Sequence, residues 1–193
     1  VVPPVRIRDN ATLQGGQYAI LLRGQEIARG ELHLDRQLAI DSGLAGQPLH
    51  GIEVREPAFG LRAWWITPAD RTQAERHNYT VVEPSGVLAT HLTEIIKRHA
   101  ADLLTRADTQ HLLDTLKQRN AGLVDEVVPN LLKTGDVQRV LQNLLRERVP
   151  IRDLETVLEA LGDWAPKTKE TEVLSEYARN ALARTICAQY KDA

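Results

Sequence analysis

The sequence predicts an α+β chain in two parts, an α+β part over residues 1–104 and an all-α helical part over residues 105–193. Period-two alternation of apolar residues, punctuated by Gly and Pro, recurs as far as Val82, whereas only helical periodicity follows Thr105. A chain of 193 residues can hold one good core or two small ones, and this change of period argues for two. Connections of about two to five residues between the later helical patterns bring those helices side by side.

Taken in order, Tyr18 to Leu34 reads as a hairpin: YAILLR, a turn at Gly24 and Gln25, then EIARGELHL. Alternation through Leu32, Leu34, Leu38 and Ile40 adds further short strands. Between Asp41 and Pro57, glycines 43, 46 and 51 with Pro48 predict loops. Trp64, Trp65 and Ile66 form a buried strand closed by Thr67 and Pro68; a short helix covers Ala69 to Arg76, and Tyr79 to Val82 is another strand. Ser85 is placed to cap a long helix running through His99 and beyond, with Leu88, Leu92, Ile95, His99 and Leu103 as its buried stripe.

Five helical patterns follow, at 105–119, 122–133, 136–148, 151–163 and 169–190, the first opened by Thr105 and Asp108 as a capping-box pair. The third and fourth carry matched stripes: Val137, Val140, Leu141, Leu144 and Leu145, then Ile151, Leu154, Val157, Leu158 and Leu161. VPIRD forms the corner between them. Pro150 lacks an N–H and its ring clashes with a preceding turn, so it is expected in the first turn of the second arm.

The formal net charge is −2, with 11 basic against 12 acidic residues through Leu103 and 13 against 14 from Leu104. Neither part carries the basic excess of a nucleic-acid surface. One cysteine, Cys187, excludes an intrachain disulfide and fits a reducing compartment. No apolar run approaches the roughly 18–20 residues that span a bilayer. An opening on Val1 with no methionine anywhere reads as an excised fragment.

Enzymatic constellations do not emerge. Ser42, Ser85 and Ser175, the only serines, lie outside any nucleophile elbow, and the six histidines include no pair at metal-ligating helical spacing. His91 and His99 fall about 80 degrees apart around their helix, so one packs inward and the other faces out. GQEIARGE lacks the Lys and Ser or Thr of a phosphate-binding loop. Carboxylate pairs such as Asp125 with Glu126 read as solvated faces. The expectation is a non-enzymatic protein without metal or cofactor. At the corner, Arg148, Arg152 and Asp153 admit two readings, a structural clamp locking the hairpin angle or an inter-subunit contact.

Several segments resemble the cytoplasmic domain of the large export-gate protein of bacterial flagella and type III secretion systems, the FHIPEP family. They are PPVRIRDN at 3–10, GELHLDRQLAID at 30–41, EPAFGL at 56–61, YTVVEPSGVLATHL at 79–92, LLTRADTQHLLD at 103–114 and LQNLLRERVPIRDL at 141–154. The resemblance spans nearly the whole chain and leans flagellar. It implies a protein whose membrane-embedded N-terminal half, start of the first subdomain and C-terminal α/β subdomain lie outside this chain, with a small subdomain at about 35–83 inserted in the incomplete first one. It also implies a place on the cytoplasmic face of the inner membrane, a homo-nonameric ring, and partners among export chaperones with bound substrates and other export-apparatus components. This fragment is then soluble and, without its ring-forming surfaces, a monomer.

On residue types alone, Phe59, the only phenylalanine, sits between Pro57 and Gly60 in a turn and would be tucked in more often than displayed. The resemblance implies the opposite: an acidic residue, a phenylalanine and a threonine lining a hydrophobic dimple for loaded chaperones, positions that fall on Glu56, Phe59 and Thr90. In the flagellar pattern an Asp stands where this chain has Glu56. Phe59 and Leu61 would supply the apolar pocket, with Glu56 and Thr90 as its rim. A rival reading from another class is a DNA-binding regulator that uses the corner at Pro150 as a helix-turn-helix. The interleaving of Arg146, Arg148 and Arg152 with Glu147 and Asp153 argues against it, and a gel shift tests it.

Overall fold

The computed structural model describes residues 4–45, 47, 49–183 and 186–187. Two compact units divide at Ile95 and Ile96, inside a helix, rather than at 104.

In the first unit a two-stranded antiparallel hairpin pairs β1 (Gln17–Leu22) with β2 (Gln25–Glu31). Its turn lies at Arg23 and Gly24, one residue before the expected GQ pair. Both have positive φ (52° and 84°), the type I′ geometry whose twist matches the flanking strands. A bulge interrupts the register between Ile20 and Leu21.

Four further strands form an antiparallel sheet: β3 (Gln37–Asp41), β4 (Ile52–Arg55), β5 (Arg62–Ile66) and β6 (Tyr79–Val82), in the order β4-β5-β3-β6. β4 corrects the expectation of loops between Asp41 and Pro57. It is an edge strand of only four residues, in which Ile52 and Val54 alternate with Glu53 and Arg55, too short a pattern to stand out from the neighbouring glycines. One face of this sheet packs Ala39, Trp64, Ile66 and Tyr79 with Ala74 of α1 (Arg71–Arg76), which follows a 3-10 turn at Pro68–Asp70. Its other face packs Leu38, Ala63 and Trp65 with Val87 of α2 (Pro84–Arg98). The two faces follow from strand alternation at Trp64 and Trp65.

α2 differs from expectation in three ways. It starts at Pro84, which suits a first turn, so Ser85 lies inside the helix and does not cap it. It ends at Arg98, and a separate short helix, α3 (Ala100–Leu103), follows. The fully buried positions are Val87, His91, Glu94 and Ile95, a stripe turned by about one residue from the predicted one, with Leu88 and Leu92 only half-buried.

The second unit is helical: α3, α4 (Arg106–Lys117), α5 (Ala121–Asp125), α6 (Thr134–Arg146), α7 (Leu154–Trp164) and α8 (Thr171–Ala181). Thr105 and Asp108 close the capping box, with the Asp108 N–H on Thr105 Oγ1 at 3.1 Å and the Thr105 N–H on Asp108 Oδ2 at 3.0 Å. The Thr105 hydroxyl, and then the Thr105 N–H, donate to the Asp108 carboxylate and hold it below the usual range. The pattern at 122–133 is not one helix. After α5 the chain widens into a π-helical stretch, Glu126–Leu131, in which Val128 is extended because the following Pro129 disfavours helical backbone there. Part of the pattern at 169–190 lies outside the described residues. One core unites Leu113, Val127, Val137, Val140, Leu141, Leu144, Val157, Leu158, Leu161 and Leu174. No helix among the described residues is long and apolar enough to cross a membrane.

Candidate functional site

The hairpin between β4 and β5 is closed by EPAFGL, and Glu56 organises it. Its backbone N–H donates to the Leu61 carbonyl at 2.8 Å and its own carbonyl accepts from Gly60 N–H at 2.8 Å. The carboxylate then turns back into the loop: Oε1 accepts from the Ala58 N–H at 2.7 Å and Oε2 from the Phe59 N–H at 2.8 Å. Gly60 takes φ 73°, a conformation that L side chains adopt only with strain, and Arg55 Nη1 holds the Gly60 carbonyl at 3.2 Å. Glu56 is therefore 3% exposed, which corrects its assignment to a solvent-facing rim. A carboxylate whose oxygens satisfy two backbone donors is bound to the fold of the loop.

Phe59 is displayed: 61% of it is exposed, and Leu61 is 40% exposed. With its neighbours Ala58 and Glu56 buried and its own N–H tied down, the ring stands at the tip of a fixed turn. Residue statistics favour a tucked aromatic here, and the structure reverses them. Thr90 lies exposed on α2.

Between β1 and α2 lies a contact that residue patterns did not reveal. The Tyr18 hydroxyl makes a 2.7 Å hydrogen bond with His91 Nδ1, the rings meeting edge to face at 5.7 Å. Tyr18 is opposite Gly30 in the β1–β2 register, and a Cβ at Gly30 would collide with the Tyr18 hydroxyl. The glycine of GEL thus leaves the room through which Tyr18 reaches α2. Burial, and then the negative charge of Glu56, push the Tyr18 hydroxyl up to about 12. Tyr18 and His91 thus join β1 to the turn of α2 that bears Thr90. Strand alternation could indicate which face Tyr18 occupies, but not this partner. Of the two histidines on the predicted long helix, His91 is the buried one.

The outer face of the hairpin carries charge. Arg62 Nε donates to Glu53 Oε1 at 2.7 Å while its guanidinium lies 4.7 Å above the Trp64 ring. No cluster of three metal-ligating side chains occurs among the described residues.

The VPIRD corner is closed by backbone bonds and a helix cap and not by an ion-pair clamp. Arg148 has φ 60°, its N–H donates to the Leu145 carbonyl at 3.0 Å, and the Val149 N–H donates to the Leu144 carbonyl at 2.9 Å. This pair of bonds is a Schellman motif, with buried Val149 as its apolar closure and an arginine in the position that favours glycine. Pro150 precedes α7 instead of occupying its first turn. Asp153 is the N-cap, accepting from the Thr156 N–H at 3.2 Å and the Thr156 hydroxyl at 2.8 Å. No ion pair among the described residues joins Asp153 to Arg148 or Arg152, so the clamp is not formed; both arginines are exposed. The link from Glu147 to Asp153 is also longer than the roughly 3–4-residue turn of a helix-turn-helix.

Residues 1–193 match the family described as the FHIPEP family. The flagellar biosynthesis protein FlhA of Bacillus subtilis is 47% identical over 190 residues, which cover 98% of this chain and 28% of that protein. Among solved structures, the Chlamydia pneumoniae CdsV protein superposes with a TM-score of 0.82 at 25% identity, over 96% of this chain and 53% of that one. CdsV solved as a complex with CdsO gives 0.80 at 25% identity, over 93% of this chain and 56% of that one. The chain thus spans between about a quarter and about half the length of these relatives.

Proposed function

The chain belongs to the FHIPEP family, and from that premise we propose that it is the part of a bacterial protein-export gate that docks export chaperones carrying their substrates. The family's members are transport components and not enzymes. The flagellar branch is favoured, because identity is 47% to a flagellar biosynthesis protein against 25% to CdsV.

A single observation carries the docking reading: the only phenylalanine of the chain stands exposed at the tip of a loop whose backbone a buried carboxylate holds in place. Displaying a large apolar side chain costs solvation, and fixing it first reduces the entropy lost when a partner closes over it. Phe59 and Leu61 act as apolar anchors and Thr90 as a polar neighbour. Glu56 serves as the positioning residue behind them, and its replacement of Asp adds the methylene with which its two oxygens span consecutive backbone donors. Assembly of the intact protein into a ring beneath the inner membrane, with Arg148 and Arg152 available to a neighbouring copy, belongs to the same reading. CdsV has been solved with a second protein, CdsO, which supports a surface for other components of the apparatus.

Calorimetric titration of a substrate-loaded export chaperone tests the docking role. Phe59→Ala is expected to weaken binding by about tenfold or more, as for an interface anchor, with the thermal midpoint unchanged. Glu56→Gln keeps the shape but loses the charge-assisted bonds, so weaker binding should accompany a disordered Phe59 amide signal. Unchanged affinity in Phe59→Ala would remove this loop from the docking site.

A further inference from the structure

Gly30 lies in the interior of β2, where glycine weakens a strand because it packs nothing and has more backbone freedom to lose. It does not adopt the positive φ that would call for glycine, so the reason lies in space. The register sets it directly opposite Tyr18, and a Cβ at this position would collide with both the ring and the hydroxyl of that tyrosine. The Tyr18 ring therefore lies across its partner residue.

The hydroxyl ends on α2, within the same unit, in its 2.7 Å bond with Nδ1 of the buried His91. Along its inner stripe α2 meets the sheet at Val87, which packs with Leu38, Ala63 and Trp65, and meets β1 at His91, about one turn further on. These two attachments differ in kind. Apolar packing has no preferred direction and tolerates a helix that rolls, whereas a short hydrogen bond holds only over a narrow range of distance and angle. Thr90 directly precedes His91, about 100 degrees around the helix, and is exposed. The direction in which it is presented follows from the roll of α2 that the Tyr18 bond selects.

We infer that Tyr18 is a positioning residue of the docking surface: its bond to His91 fixes the roll of α2 and with it the place at which Thr90 meets a chaperone, and Gly30 is the residue that admits it. The inference rests on the docking reading and adds to it a control from a separate element. Glu56 holds the Phe59 half of the surface from within its own loop, while the β1–β2 hairpin holds the Thr90 half from outside.

Two substitutions break the bond in opposite ways. Tyr18→Phe keeps the ring and removes the hydroxyl; Gly30→Ala keeps the hydroxyl and drives it off His91. Each should weaken binding of a substrate-loaded export chaperone by about threefold to tenfold, the range that follows from one hydrogen bond. Each should also shift the Thr90 amide signal and leave that of Phe59 in place. A double-mutant cycle separates positioning from general loosening: the effect of Tyr18→Phe should vanish in a Thr90→Ala background and persist in a Phe59→Ala background. Equal losses in the two backgrounds, parental affinity in Tyr18→Phe, or a Thr90 amide that does not move would overturn the inference. The docking reading fails separately, through parental affinity in Phe59→Ala, and a shifted Thr90 amide in Tyr18→Phe would survive that outcome.

Discussion

Tyr18 shows how a single hydroxyl can be made to depend on its surroundings. It is hydrogen-bonded to a buried imidazole, His91. Ionising it would place a charge in a partly desolvated site, and the negative charge of Glu56 adds to that cost, so its acidity falls, to a pKa of about 12 against the ordinary 10. A folded-state value above the unfolded one means that the folded chain keeps a proton that the unfolded chain releases. The stabilisation is fully present below about pH 10 and is lost as pH rises towards about 12. Urea unfolding across that window should show stability falling with pH, more steeply in the parent than in Tyr18→Phe. Tyr79, also raised by burial, leaves a residual slope in the variant. Parallel slopes in the two proteins would mean that Tyr18 ionises as freely in the folded chain as in the unfolded one. The partners of Tyr18 lie far along the chain, at residues 56 and 91, which is why alternation in YAILLR could assign it a face but no role.

At the scale of elements, the ends decide more than the middles. α6 terminates through a left-handed arginine, and an L side chain in that conformation costs about 1–2 kcal/mol, part of which glycine would return as unfolded-state entropy. Arg148→Gly should therefore stabilise the helical unit by about 0.5–1 kcal/mol, or roughly 4–8 °C per kcal/mol in midpoint for a unit of about 100 residues. Arg148→Ala loses the same charge but keeps the backbone penalty, so it should bring no such gain; equal gains in both would implicate the charge. Pro150 was legible in the sequence as the mark of a corner, but periodicity continues through Ile151 and so places the start of α7 too early. The N-cap at Asp153 is set by the Thr156 bonds, which a stripe of apolar residues does not register. β4 escaped notice for the opposite reason: its alternation of Ile52 and Val54 with Glu53 and Arg55 lasts only four residues beside Gly51. The Phe59 turn was legible as a turn, yet its display depends on Glu56 bonding forward to Ala58 and Phe59, a choice of partner that composition leaves open. Resemblance to the family, and not residue type, pointed to that loop.

The whole molecule rests on separate cores. Leu38, Ala63, Trp65 and Val87 with the Trp64 cluster lie in the sheet-bearing unit, while the large core from Leu104 to Leu182 belongs to the helical one. No buried residue is shared between these clusters, so damage to one should be read out locally. Leu158 is fully buried, and its truncation leaves a cavity lined by rigid helices, at a cost of about 2–5 kcal/mol. The three tryptophans allow the two units to be followed separately: Trp64 and Trp65 report the sheet, and Trp164→Phe removes the reporter in α7. In that background, Leu158→Ala should shift the urea midpoint followed by far-ultraviolet circular dichroism, which the helical unit dominates. Tryptophan fluorescence should keep its parental midpoint. A coincident shift of both signals would show that the two cores unfold as one cooperative body. Separate transitions would allow the Phe59 loop to keep its fixed form while the helical unit rearranges, as the proposed docking role would require.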